Sequence, residues 1–273
     1  MIGGSLALAV RRRRLARRVV GVDRRRAVLQ RALRCGAIDR GFTQVAPAVA
    51  EAELVVIATP PSAVVPLSQQ VAAAVSHPLV LTDTASTKAG IVRRWERVLP
   101  KHIHAVGSHP MAGSERNGLD AASAALFDGA QCLMTPTPKT ARAAVRVVRR
   151  FWRALGMPVV TMSPEGHDTI VAMVSHAPHL LAASLVAATS PKERSVAAMG
   201  FSEMTRVALG DPMLWQDICL SNRPAVLDAL ARVERALIHV RQAIAYQDRA
   251  ELIRTLAGSR RKRRTLDVWP GRS

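Results

Sequence analysis

Over its first 160 residues the chain alternates short apolar runs with stretches whose apolar residues recur at helical spacing. The runs Arg18–Val22, Leu54–Ala58, Leu79–Thr82, His104–Gly107, Ala130–Thr135 and Pro158–Met162 have the length of strands. The segments Ser5–Arg14, Arg25–Cys35, Pro66–Val75, Thr87–Val98 and Thr140–Leu155 read as helices between them. This order predicts an α/β fold in which a parallel sheet is covered by crossover helices. From Ser163 the texture changes, because strand signals vanish and helix starts take over. Ser163-Pro164-Glu165, Asp211-Pro212 and Arg223-Pro224 each set a Pro at or near a first helical position. The last of these opens a long amphipathic helix to about Tyr246, and a final helix is expected to stop at Gly258, leaving a basic, mobile tail. The chain therefore divides into an α/β domain over residues 1–163 and an all-α domain over residues 164–273, with no internal repeat.

An apolar content of 49% in 273 residues is enough for two cores. The formal charge of +19 would suit a polyanion or an acidic metabolite. Only five of the 39 basic residues are Lys, however, and the arginines are scattered through an Ala- and Val-rich background, as coding bias in a G+C-rich genome would leave them. Most of that charge is read as solvated surface. With one Tyr, four Phe and four Trp there is no interleaving of aromatic and basic residues for nucleic acid to stack on. Cys35, Cys132 and Cys219 fit no metal or redox spacing and are expected to be small buried hydrophobes in a reducing compartment, with no metal bound. No signal-peptide pattern opens the chain, so the cytoplasm is the expected location. The apolar run Ile170–Thr189 contains His176, Pro178 and His179, which are costly in hydrocarbon, and is expected to be a buried helix of a soluble protein.

Gly3 and Gly4 resemble the end of a G-x-G-x-x-G dinucleotide turn, with Gly3 as its third glycine and the first strand and first two glycines missing. A plain N-terminal turn would look the same. Asp23 follows twenty residues later at a strand end, where a carboxylate can accept from an adenosine ribose. The neighbouring Arg24, Arg25 and Arg26 could instead take a 2′-phosphate, so NAD and NADP both stay open. This is the pattern of a Rossmann-like domain. Downstream lie Ser108-His109-Pro110-Met111-Ala112-Gly113-Ser114-Glu115, His167-Asp168 and Ser175-His176-Ala177-Pro178-His179. Removing a hydride from an alcohol requires a group to accept the hydroxyl proton, and neutral His109 suits that task. At about 100° per residue, Asp168, Ser175 and His179 fall within roughly 40° of one another and are expected to line one wall. His176 points away by about 80° and is read as structural.

Together with Asp83-Thr84-Ala85-Ser86-Thr87-Lys88 and Phe201-Ser202-Glu203-Met204-Thr205-Arg206, these segments resemble the prephenate dehydrogenases, a tyrosine-biosynthesis family that includes arogenate and cyclohexadienyl dehydrogenases. The resemblance implies oxidative decarboxylation of prephenate, or of arogenate, with NAD or NADP, in a homodimer built through the helical domain; the alternative is a non-catalytic relative with a shortened start. It implies that His109 is the base and that Ser86 holds the substrate hydroxyl beside the nicotinamide. A purely structural Ser86 would instead cap the helix starting at Thr87. Arg206 takes the place of the family's carboxylate-binding arginine, His179, Ser175 and Asp168 contact substrate, and Glu115 joins an ionic network or caps a helix. The cofactor side comprises Gly3, Gly4, Ser5, Asp23, Thr59, Pro60 and Asp83.

Overall fold

The computed structural model describes residues 1–113 and 118–265. The first half runs α1 (Ile2–Arg12), β1 (Val20–Val22), α2 (Arg26–Arg34), β2 (Arg40–Phe42), α3 (Ala46–Val49), β3 (Leu54–Ile57), α4 (Pro61–Ala74), β4 (Leu79–Asp83), α5 (Ala89–Val98), β5 (Ile103–Pro110), β6 (Cys132–Thr135), α6 (Arg142–Ala154) and β7 (Val159–Thr161). The second half is helical among the described residues: α7 (Pro164–Val171), a π turn (Ala172–His176), α8 (Ala177–Ala187), α9 (Pro191–Ser195), α10 (Met199–Thr205), a 3-10 turn (Arg206–Leu209), α11 (Pro212–Ser221), α12 (Arg223–Ala245) and α13 (Arg249–Arg264).

The α/β half is the Rossmann-like arrangement expected, with two departures. β3, β4 and β5 pair in parallel, but β6 runs antiparallel to β5 before β7 returns parallel to β6. β1 and β2 form a separate parallel pair, so the sheet is interrupted between β1 and β3. Both sides of the interruption lean on one core: Val19, Leu54, Val56 and Ile2 pack against a cluster centred on Trp152, Phe127, Val148 and Met134. A second core lies on the opposite side of the sheet, around Val64, Val71, Leu81 and Trp95. In α4, Val64, Ser68 and Val71 recur at helical spacing and are buried. The Trp95 indole donates to Ser68 Oγ at 2.7 Å, and Ser68 donates to the Val64 carbonyl at 2.7 Å, so neither polar group is stranded in the core.

Helix starts in the second half follow their side chains. Ser163 Oγ accepts from the Gly166 N–H at 3.1 Å, and Asp211 Oδ1 accepts from Met213 and Leu214 at 2.9 and 3.0 Å. Three expectations need correcting. Helix α4 begins at Pro61 and carries Pro66 inside it, although Pro66 was expected to start it; Pro61 fits the first position, where no N–H is needed. α13 passes through Gly258 to Arg264, and its last turn holds Arg261, Lys262, Arg263 and Arg264, where the carbonyl end of the helix favours cations. Cys35 is exposed at the end of α2, whereas Cys132 is buried and Cys219 half-buried. The run Pro164–Ala187 is long and apolar enough to cross a membrane, and only 33% of its most apolar window is buried. Its buried side nevertheless carries His167, Asp168, His176 and His179.

Candidate active site

β4 and β5 end side by side, and β5 continues past β4 to carry Ser108 and His109. The Ser108 N–H donates to Asp83 Oδ1 at 3.0 Å, tying the two strand ends together. Ser86 lies three residues beyond Asp83 in the loop leading to α5, so it shares this edge with His109. That is the carboxyl edge at which open α/β sheets bind ligands.

His109 is 9% exposed. Its Nδ1 lies 2.9 Å from Nε2 of His167, and His167 Nδ1 lies 2.8 Å from Asp168 Oδ1. Burial first, then the charges of His167, Lys88 and His176, hold the His109 imidazole well below its usual pKa of 6.5. It is therefore a neutral imidazole at neutral pH, the form a proton acceptor requires.

Near His109 lies an ion pair. Lys88 and Asp83 are both fully buried, and the Lys88 ammonium bonds Asp83 Oδ2, which also accepts from the Ala85 N–H at 3.0 Å. Gly107 makes room for this lysine: a Cβ there would collide with Thr135 Oγ1, press on Val92 and come within 3.3 Å of Lys88 Cδ. Desolvation lowers the Lys88 pKa, and the nearby Asp83 carboxylate pulls it back up. Asp83 is thus a buried partner for Lys88 and β5, which corrects its expected place on the cofactor side.

Asp168 needs a similar correction. It does not share a substrate wall with Ser175 and His179. It turns toward α5, whose first free N–H groups it caps: Lys88 N donates to Oδ1 at 2.7 Å and Ala89 N to Oδ2 at 2.9 Å. Two consequences follow. Ser86 is not the cap of α5, which starts at Ala89 without a side-chain cap of its own. The common wall also fails, because the π turn over Ala172–His176 breaks the 100° progression between Asp168 and His179. Ser175 sits half-buried within that turn.

His179 stacks on Trp215 with ring centroids 3.5 Å apart and planes 9° from parallel, while His176 meets the same indole edge-on. Burial lowers the His179 pKa, and the Val207 backbone raises it again. That contact brings the 3-10 turn, with exposed Arg206 at its start, against α8 beside His179. His176 is structural as expected: it is 1% exposed, burial takes its pKa down to about 4, and its Nδ1 lies 3.3 Å from Asn222 Nδ2. Glu115 lies outside the described residues.

On the nucleotide side, Gly3 and Gly4 are helical residues of α1, not a free turn. A Cβ on Gly3 would stand 3.3 Å from the Ala58 Cβ at the end of β3, the close helix–strand seating that the third glycine of the fingerprint serves. Gly4 packs beneath Leu119 and Ala122. Thr59 and Pro60 follow β3 at the same edge, and half-exposed Asp23 follows β1, its Oδ1 accepting from the Arg25 N–H at 2.9 Å. These residues fit a dinucleotide. Ser5 does not belong with them: it is fully buried and its Oγ accepts from the Ser123 N–H at 3.0 Å. His167, Lys88, Trp215 and Asn222 complete the site without having been singled out from the sequence. The His167-Asp168 dipeptide and the Lys88 closing the Asp83 segment were the signals available.

Two family models match the chain: the nucleotide-binding domain of prephenate dehydrogenase over residues 6–161, and its dimerization domain over residues 163–258. The prephenate dehydrogenase of Bacillus subtilis is 36% identical over 261 residues, covering 93% of this chain and 70% of that protein. The cyclohexadienyl dehydrogenase of Zymomonas mobilis is 35% identical over 243 residues, covering 86% and 82%. Among solved structures, prephenate dehydrogenase from Aquifex aeolicus in complex with hydroxyphenyl propionate and NAD+ superposes with a TM-score of 0.90 at 31% identity, covering 97% of this chain and 94% of that one.

Proposed function

The chain belongs to the prephenate dehydrogenase family, and from that premise we propose that it converts prephenate to 4-hydroxyphenylpyruvate and carbon dioxide with His109 as the base. It is an NAD-dependent dehydrogenase of the prephenate and arogenate type. The observation that carries the assignment of the base is the neutral imidazole of His109 at the carboxyl edge of β5, one strand away from Ser86. Its Nδ1 is engaged by His167, so Nε2 is the atom left to take the hydroxyl proton. Ser86 orients that hydroxyl. Arg206 and His179 hold the substrate's carboxylate groups, for which a guanidinium fork is well shaped. Gly3, Gly4, Asp23, Thr59 and Pro60 hold the dinucleotide, which when bound supplies the hydride acceptor. Loss of the ring carboxylate as carbon dioxide makes the product aromatic, and the step is effectively one-way.

An absorbance assay at the reduced-nicotinamide band tests the reading. Prephenate with NAD is expected to turn over; reduction with arogenate alone would reassign the substrate, and reduction with neither would remove the function. Arg206→Ala is expected to weaken substrate by about 1.5 to 3 kcal/mol, roughly tenfold to a hundredfold in KM. NAD affinity should hold; an equal loss for both ligands would mean that the arginine does not read the substrate.

We also infer that the enzyme is a cytoplasmic homodimer assembled through the helical half. Leu220, Leu227, Leu237, Ile253 and Leu256 are more than half exposed there, which supports a covering partner. The nucleotide-binding family model matches from residue 6, which lends no support to the expected loss of a first strand and two glycines.

A further inference from the structure

Three donors converge on the Asp168 carboxylate: the backbone N–H groups of Lys88 and Ala89 and Nδ1 of His167. A carboxylate only accepts, so the hydrogen between Asp168 and His167 sits on His167 Nδ1. A neutral imidazole has one N–H, which leaves His167 Nε2 as a bare acceptor 2.9 Å from His109 Nδ1. His109 must then donate from Nδ1, and its own lone pair is placed on Nε2. The opposite assignment would put a hydrogen on His109 Nε2 and abolish the base.

Location strengthens this chain of constraints. His109 belongs to β5 of the α/β half, whereas His167 and Asp168 belong to α7 of the helical half. α7 is held on its other side by Asn222, whose Nδ2 donates to the Asp168 carbonyl at 2.8 Å. His167 is fully buried, and its neighbours Lys88 and Asp83 have no exposure either, so no water competes for its ring. Burial also lowers the His167 pKa, which opposes the imidazolium that would scramble the order.

We propose that His167 and Asp168 are positioning residues that fix the tautomer of His109, so that the base takes its working form only where α7 is docked against β5 and α5. The proposal rests on His109 being the base, and its test separates the two readings. Imidazole 15N shifts of the histidine-labelled full-length enzyme are expected to show His109 protonated at Nδ1 and bare at Nε2; the reverse tautomer overturns the proposal whether or not the enzyme turns over. His167→Phe keeps the Asp168 cap of α5 but removes the acceptor, and is expected to lower kcat by about 10² or more with substrate KM and NAD affinity within about threefold. His167→Gln can again accept from His109 Nδ1 and should recover much of that loss. A His167→Phe enzyme with wild-type kcat would overturn the assignment.

Discussion

His109→Asn is expected to lower kcat by about 10² to 10⁴ while NAD affinity stays within a factor of about two. The amide can still donate toward His167 Nε2 in place of the ring Nδ1–H, so the change removes the proton acceptor and leaves the packing at the end of β5 nearly intact. Single-turnover absorbance would place the loss on the chemical step, and calorimetric titration would confirm that the dinucleotide still binds. The sign of the pH dependence follows from the same residue. Because burial and the neighbouring His167, Lys88 and His176 depress its pKa, the wild-type His109 stays unprotonated down through pH 6.5. The acid limb of kcat/KM therefore falls below that value, where protonation fills the lone pair, and the limb disappears in the asparagine variant. An active variant with an unchanged limb would move the role to another group.

Lys88→Met is expected to cost about 3 to 5 kcal/mol of folding stability, because it leaves the Asp83 carboxylate in the interior without its ammonium. Methionine replaces much of the lysine stem, so the loss reports the charge rather than a cavity. Asp83 keeps its bonds from Ser108 and Ala85, which limits the damage but cannot neutralise a buried charge. Asp83→Asn added to Lys88→Met removes that charge while retaining an acceptor for the Ser108 N–H, and is expected to restore part of the stability. Urea unfolding of the single and double variants measures both. A single variant within about 1 kcal/mol of wild type would show that water reaches the pair.

The alternation of strands and helices and the wholly helical second half could be read from periodicity, because each element buries one face at its own repeat. β2 could not: Arg40-Gly41-Phe42 has no apolar alternation, and its place depends on Gly41 letting Leu29 approach, at 3.1 Å from where a Cβ would stand. The reversal of β6 is likewise a tertiary matter that local pattern does not encode. At the site, strand ends and the family's motif singled out His109 and Ser86, and the structure sets both at one sheet edge. Asp168 was misdirected because angular extrapolation assumes one helix, and a π turn intervenes before Ser175 and His179. Asp83 and Ser5 were misassigned for a different reason. A short polar residue near a nucleotide motif looks available until its buried partner, Lys88 or the Ser123 backbone, is seen.

Gly107 bears on which mutations this chain can tolerate. Arginine outnumbers lysine 34 to 5 along the sequence, so exchange of one basic residue for the other is cheap over most of its surface. Position 88 resists that exchange, since its side chain is fully buried, its stem passes the missing methyl of Gly107 and its ammonium ends on Asp83, a fit for a compact head rather than the wider, flat one of arginine. Drift toward arginine, tolerable on the solvated surface, would there break the buried pair whose carboxylate ties the end of β4 to β5 next to His109.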